Sequence, residues 1–170
     1  MEELDTPAYV INEEVLDKDM RLLRQIADQA GCRLLYSPKA SSLAPVLSGV
    51  AKHVDGFACS SLFELRLVCE LCRGNGSLHV VSPLIDGSTL EEFGDRLNYV
   101  TFNSLSQWRN LRSHVSASTS IGLRINPELS FIRDARYDPC CSNSKLGVPV
   151  SRLAELLAEG RGVLEGIDGL

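Results

Sequence analysis

Five short apolar segments recur along the chain, and each is followed closely by a polar residue. They occupy residues 33–37, 56–60, 78–82, 99–103 and 122–126. Their length and their branched, aromatic and leucine residues are typical of buried strands. The polar positions lie 21 to 23 residues apart: Lys39, Ser60, Ser82, Asn103 and Asn126. One strand, one helix of about ten residues and two short loops fill such an interval, so the pattern predicts repeated strand–helix units.

The segments between these strands show helical periodicity and helix-start signals. A first helix is predicted from Asn12 to Gly31, with one apolar side formed by Leu16, Met20, Leu23 and Ala27. Three serines stand three residues before Glu or Gln, as in capping boxes: Ser61 with Glu64, Ser88 with Glu91, and Ser104 with Gln107. A further helix is predicted over residues 149–159, closed by Gly160, and a sixth strand within residues 162–170.

Strand–helix alternation at this interval implies a parallel sheet, either open and doubly wound or closed into a barrel. Alternation of side chains along the strands distinguishes the two. One predicted face is apolar, with His79 as an exception. The other is small or polar and carries Leu35, Ser37, Lys39, Gly56, Ala58, Ser60, Leu78, Val80, Ser82, Thr101, Asn103, Gly122, Arg124 and Asn126. A single helix-covered face favours a barrel.

The predicted fold class is therefore α/β, a partial TIM-type (β/α)8 barrel of five to six units. A complete barrel takes about 250 residues, so the 170-residue chain is expected to be the N-terminal part of a longer protein. Its composition, 44% hydrophobic and 23% charged, is that of a globular domain.

Charge and segment composition narrow the classes of partner and location. The net charge of −5 gives no basic footprint, so no nucleic-acid partner is expected. No apolar stretch reaches the roughly 18 residues that cross a bilayer, so no membrane partner is expected. The acidic start of the chain is unlike a secretion or transit signal, which makes a cytoplasmic location the expectation.

Lys39 is the strongest candidate for chemistry. It follows Pro38 at the carboxyl end of the first predicted strand, where a barrel places its active site. A lysine partly withdrawn from water there would offer a neutral amine that forms an imine with a carbonyl, and pyridoxal phosphate is the common cofactor of that kind. The alternative is a solvated loop lysine. Arg124 shares the polar face and needs a partner, either a cofactor or a structural carboxylate.

Ser60, Ser82 and Asn103 surround the same mouth, where each could equally be a cap or turn residue. The six cysteines are Cys32, Cys59, Cys69, Cys72, Cys140 and Cys141. Cys69 and Cys72 form a C-x-x-C pair, but they fall on the apolar side of a predicted helix with Leu62 and Leu65. Core packing is therefore favoured over a metal or redox site.

Six motifs in a fixed order give the chain a family resemblance: residues 6–10 (TPAYV), 35–39 (LYSPK), 60–64 (SSLFE), 102–107 (FNSLSQ), 123–127 (LRINP) and 144–148 (SKLGV). The chain resembles the N-terminal part of the carboxynorspermidine decarboxylases. These belong to the alanine-racemase-like pyridoxal-phosphate enzymes, together with ornithine, arginine and diaminopimelate decarboxylases. The motifs span nearly the whole chain.

The resemblance implies a pyridoxal 5'-phosphate enzyme of polyamine biosynthesis that removes the α-carboxylate of carboxynorspermidine or carboxyspermidine. It implies Lys39 as the cofactor lysine and Arg124 near the cofactor ring; Ser60 and Asn103 are further candidate cofactor-binding residues. Residues 1–11 would form a strand of a separate β domain and residues 12–170 the incomplete barrel. Homodimers and a polyamine-type amino acid substrate are expected.

Some features depart from the family pattern. Pro38 precedes the lysine, Ala58 stands where ornithine decarboxylases have an aspartate, and Cys140 and Cys141 interrupt the loop before residue 144. The family's ring-stacking histidine and glycine-rich phosphate site would follow Leu170, so weak cofactor binding by this chain alone is expected. The alternatives are a cofactor-carrier barrel, a non-catalytic truncated paralogue, or a diaminopimelate- or ornithine-type decarboxylase.

Overall fold

A computed structural model describes residues 5–72, 76–141 and 143–170. Its main feature is a five-stranded parallel sheet in the order β1-β2-β3-β4-β5. The strands are β1 (Leu35–Tyr36), β2 (Gly56–Cys59), β3 (Ser77–Val81), β4 (Tyr99–Phe102), β5 (Ser120–Leu123), β6 (Ile125–Asn126) and β7 (Val148–Pro149). The helices are α1 (Glu13–Ala30), α2 (Ala44–Val50), α3 (Leu62–Leu71), α4 (Gly87–Phe93), α5 (Leu105–Leu111) and α6 (Val150–Glu159).

The strand order distinguishes the two architectures left open by the sequence. Strands follow one another across the sheet in chain order, whereas a doubly wound sheet reverses direction at a switch point. Right-handed crossovers between consecutive neighbours place every connecting helix on the same side. The prediction of a partial barrel is confirmed. Among the described residues, no helix has the length and hydropathy needed to span a membrane.

The core lies between this sheet and its helices. Strand residues Phe57, Cys59, Val100, Phe102 and Leu123 are almost completely buried. They pack in one cluster with helix residues Leu65, Val68, Leu90, Phe93 and Trp108. Burial of each large side chain contributes about 1.5–3 kcal/mol, so this layer holds the helices against the sheet.

The predicted side-chain alternation is right for four strands and wrong for β3. Leu78 pairs with Phe57, and both are buried under the helices, whereas the sequence analysis put Leu78, Val80 and Ser82 on the polar face. His79 pairs with Ala58 and Tyr99 instead, so it belongs to the inner face of the sheet and is no exception on the apolar face. The alternation in β3 is offset by one residue from the prediction, so each of its side chains lies on the face opposite to the predicted one.

Helix boundaries largely follow the capping signals. Asn12 accepts hydrogen bonds from the amides of Glu14 and Val15, and Gly31 ends α1 with a left-handed φ of 63°. Leu23 was expected on the buried side of α1 but is 45% exposed. Ser61 and Ser104 cap α3 and α5 as predicted.

The predicted cap at Ser88 is wrong. Asp86 caps α4 by accepting from the amide of Thr89 at 2.7 Å, and Glu91 bonds to His114. Aspartate is as good a helix cap as serine. In the helix that Asp86 caps, Leu90 and Phe93 lie on the buried side.

The last part of the chain differs in detail from the prediction. The fifth predicted strand is two pieces, because β6 leaves the large sheet after Arg124 and pairs with β7. The predicted helix over residues 149–159 is confirmed as α6, with Gly160 after it. Of the predicted sixth strand, residues 161–164 form a 3-10 turn, but Gly169 pairs in parallel with β5 at Gly122.

Residues 5–11 have no regular secondary structure, and Tyr9 and Val10 are exposed. Residues 1–4 lie outside the described residues. Assignment of residues 1–11 to a separate β domain stays a prediction.

Candidate functional site

The carboxyl ends of the parallel strands form one edge of the sheet, which we call the mouth. Lys39 follows β1, Ser60 follows β2, Asn103 follows β4 and Arg124 follows β5. In parallel strands these positions share the same edge, which is where barrels carry their active sites. The structure therefore brings the four predicted site residues to one rim of the sheet.

Lys39 lies in a tight turn that is anchored on both sides. Pro38 is almost completely buried, and the amide of Ala40 donates to the carbonyl of Ser37 at 3.0 Å. On the far side, the hydroxyl of Tyr36 donates to the carbonyl of Ser41 at 3.2 Å. Burial raises the pKa of Tyr36, which keeps this hydroxyl protonated as a donor. The turn is thus fixed. The Lys39 side chain itself is exposed, so the expected partial withdrawal from water is wrong for this structure and the solvated alternative describes the side chain.

Arg124 stands where the fifth strand splits. Its amide donates to the carbonyl of Phe102, and its carbonyl accepts from the amide of Val148, both at 2.8 Å. Its side chain is half-buried, yet none of the ion pairs among the described residues involves it or Lys39. A half-buried guanidinium with no carboxylate partner retains its capacity to bind an anion.

Ser60 and Asn103 occupy equivalent places in two copies of one motif. The Glu64 carboxylate accepts from both the amide and the hydroxyl of Ser60 at 2.8 Å. The Gln107 side chain likewise accepts from the amide of Asn103 at 2.8 Å. In both cases the side chain at the third helical position reaches one residue further back than in a standard capping box. These contacts fix the strand–helix turns and engage the polar atoms of Ser60 within the chain.

Asn103 makes two further hydrogen bonds to a distant loop. Its Nδ2 donates to the carbonyl of Lys145 at 2.8 Å, and its Oδ1 accepts from the amide of Gly147 at 2.9 Å. Gly147 has a φ of 83°, and a Cβ there would lie 2.8 Å from the backbone nitrogen of Asn126. This role of Gly147 was not predicted from the sequence. Its only sequence signal is a glycine directly before the β7–α6 unit.

A second polar group on the inner face was also missed, because of the β3 register. His79 stacks on Tyr99 with ring centroids 4.3 Å apart, and its Nε2 lies 2.9 Å from the Ser77 hydroxyl. Arg33 donates to the Tyr99 hydroxyl at 3.3 Å. Burial, and to a lesser degree the charge of Arg33, lowers the pKa of His79. His79 is therefore a neutral, satisfied residue near neutral pH, in the middle of β3.

Cys69 and Cys72 are part of the core, as their helical spacing indicated, and Cys59 belongs to the same cluster. Cys59 and Cys72 are buried, and burial together with the negative charge of Glu64 raises the pKa of Cys59 to about 12. Burial also raises the pKa of Cys69 and Cys72. A thiol with a raised pKa is a poor nucleophile. The described residues contain no cluster of His, Cys, Asp and Glu that could hold a metal ion.

Comparison with known proteins identifies the family. Residues 15–163 match the family described as "Pyridoxal-dependent decarboxylase, pyridoxal binding domain". The chain belongs to this family. It is 32% identical over 158 residues to the carboxyaminopropylagmatine decarboxylase of Synechocystis sp., covering 92% of this chain and 40% of that protein. It is 29% identical over 147 residues to a carboxynorspermidine/carboxyspermidine decarboxylase of Campylobacter jejuni, covering 86% of this chain and 38% of that protein.

Solved structures of such decarboxylases have the same fold. The crystal structure of carboxynorspermidine decarboxylase from Campylobacter jejuni, complexed with norspermidine, superposes with a TM-score of 0.80 at 25% identity. That superposition covers 98% of this chain and 40% of the other. Diaminopimelate decarboxylase of Helicobacter pylori, 19% identical with a TM-score of 0.76, shows the fold alone. The chain spans about 40% of the length of these relatives.

Proposed function

We propose that this chain is the cofactor-bearing part of a pyridoxal-phosphate decarboxylase that acts on a carboxylated polyamine. The observation that carries the proposal is the position of Lys39 and Arg124 at the carboxyl ends of two strands of one parallel sheet. Both lie at the mouth of a barrel sheet whose family is defined by pyridoxal binding, and none of the ion pairs among the described residues engages either side chain.

The residues at the mouth fit pyridoxal phosphate. An imine-forming cofactor needs a primary amine on a fixed backbone, and the anchored turn at Lys39 supplies one. Arg124 supplies a cation for the anionic cofactor. When bound, the cofactor supplies an electron-withdrawing ring that takes up the electron pair left on the α-carbon as carbon dioxide departs. The chain's own contribution is to place the Lys39 amine after β1 and the Arg124 charge after β5, both at the mouth of the same sheet.

The substrate class comes from the relatives. The three relatives that are 27–32% identical to this chain are decarboxylases of carboxyaminopropylagmatine and of carboxynorspermidine or carboxyspermidine. All three substrates are amino acids joined to a polyamine tail. We propose a substrate of this class; the net charge of −5 favours approach of such a polycation. A homodimer stays a prediction, which sedimentation of the purified protein would test.

A spectroscopic titration tests the role of Lys39. Pyridoxal phosphate is added to the chain and to its Lys39→Arg and Lys52→Arg variants, and the visible absorbance of the imine is followed. Lys52 is also exposed and lies outside the mouth, so it is the matched control. We expect a saturable signal in the wild type and Lys52→Arg that is lost in Lys39→Arg. Equal signals in all three proteins would refute the assignment.

A further inference from the structure

The side chain of Asn103 pairs with the Lys145–Gly147 backbone as a neighbouring strand would. Its Nδ2 donates to the carbonyl of residue 145, and its Oδ1 accepts from the amide of residue 147. The backbone N–H and C=O of one residue in a parallel strand make the same two contacts, to a carbonyl and an amide two residues apart. Near neutral pH the side-chain amide of asparagine supplies both a donor and an acceptor at this spacing, whereas an ionised carboxylate supplies acceptors alone. Asparagine is therefore matched to this position, and aspartate would lack the donor.

The same segment is held on its other side by the strand end that carries Arg124. The amide of Val148 donates to the carbonyl of Arg124 at 2.8 Å. A Cβ on Gly147 would lie within 3.0 Å of three backbone atoms: the Asn126 nitrogen, the Ile125 carbonyl carbon and the Arg124 oxygen. The backbone of residues 145–148 is thus in direct contact with the backbone of residues 124–126, with Asn103 fixing it from the β4 side.

We propose that Asn103 is a positioning residue that holds the segment 145–148 against the Arg124 strand end. We call its two side-chain bonds to this segment the Asn103 clamp. The clamp sets where Arg124 and the exposed Lys145 stand at the mouth, and it acts through the backbone of the segment instead of touching the cofactor. This role differs from the direct cofactor contact expected from the sequence. The effect of the Asn103 clamp on cofactor binding rests on the proposed function. The two hydrogen bonds of the clamp do not depend on that proposal.

Amide hydrogen exchange in the 170-residue chain tests the clamp. In Asn103→Asp the carbonyl of Lys145 loses its donor and faces a carboxylate. Loss of a hydrogen bond of this kind should speed exchange at Gly147 and Val148 by about tenfold or more at pH 8. Asn98→Asp is the matched control, because the one hydrogen bond of the Asn98 side chain among the described residues is accepted by its Oδ1, from the amide of Leu78 at 2.8 Å. This control should leave exchange at Gly147 and Val148 unchanged.

A pH series separates the clamp from general destabilisation. A protonated aspartic acid can supply an O–H donor and a carbonyl acceptor to the same two contacts that the asparagine amide makes. Exchange protection at Gly147 in Asn103→Asp should therefore recover as the introduced carboxyl is protonated, whereas Asn103→Ala should not recover. Half-saturation of the imine absorbance at pH 8 should also need severalfold more cofactor in Asn103→Asp than in Asn98→Asp.

Two results would overturn the clamp. One is unchanged protection at Gly147 and Val148 in both Asn103 variants, and the other is equal loss of protection in Asn98→Asp. Absence of any imine in the wild type would instead refute the proposed function, and the exchange data would still decide the clamp.

Discussion

Replacing Gly147 with alanine should lower the free energy of unfolding by more than the left-handed backbone conformation at this position accounts for. At a φ of 83°, a Cβ would lie 2.8, 2.9 and 3.0 Å from backbone atoms of residues 124–126. The left-handed conformation costs an L-residue about 1–2 kcal/mol. The collision adds about 1–3 kcal/mol, as overpacking in tight interiors does, because the contacted atoms are backbone and cannot rotate away.

Gly31→Ala is the matched control for this substitution. Gly31 also has a positive φ, of 63°, but a Cβ there would meet nothing within 4 Å. Urea denaturation followed by circular dichroism should show a loss in the free energy of unfolding of about 1–2 kcal/mol for Gly31→Ala, from conformation only. Gly147→Ala should lose about 1–3 kcal/mol more, or lose amide protection at Val148 if the segment detaches. Equal losses, with Val148 protection unchanged, would refute this description of the mouth.

Two further predictions concern groups that the sequence analysis misplaced. Because the pKa of His79 is lowered from 6.5, the unfolded chain takes up the proton first as pH falls. The stability linked to His79 is therefore complete above pH 6.5 and is lost as pH falls toward its folded pKa, and urea midpoints of His79→Gln should depend less on pH in that range. Asp86→Ala should cost about 1 kcal/mol of stability and Ser88→Ala less, since Asp86 caps α4; the reverse order in urea denaturation would contradict this.

Strand and helix positions were predictable because their signals are local. The apolar segments and capping residues place β2, β4 and α1 to within about one residue and the starts of α3 and α5 at the predicted caps, whereas β1 is shorter than predicted. Strand β3 was harder because Leu78, Val80 and Val81 place apolar residues on both faces, so local alternation does not choose between the registers. Pairing with β2 decides the register, since it buries Leu78 beside Phe57 and leaves His79 facing Ala58 and Tyr99.

The mouth was predictable only in part. Lys39 and Arg124 were found because strand ends and charged side chains can both be recognised from sequence. The contacts of Asn103 join residues 42 and 44 positions apart, and the turn at Gly147 is required by a strand about 20 residues earlier. Nothing in the local sequence indicates such long-range pairing. The folded backbone was needed to show that Asn103 is already hydrogen-bonded within the chain.

The most direct test of the account is to locate the site at which the cofactor becomes attached. The chain is incubated with pyridoxal phosphate, the imine is reduced with borohydride, and the modified peptide is identified by mass spectrometry. The account predicts that the stable adduct lies on Lys39, in preference to the exposed Lys18, Lys52 and Lys145. An adduct spread evenly over these lysines, or concentrated on one other than Lys39, would contradict it.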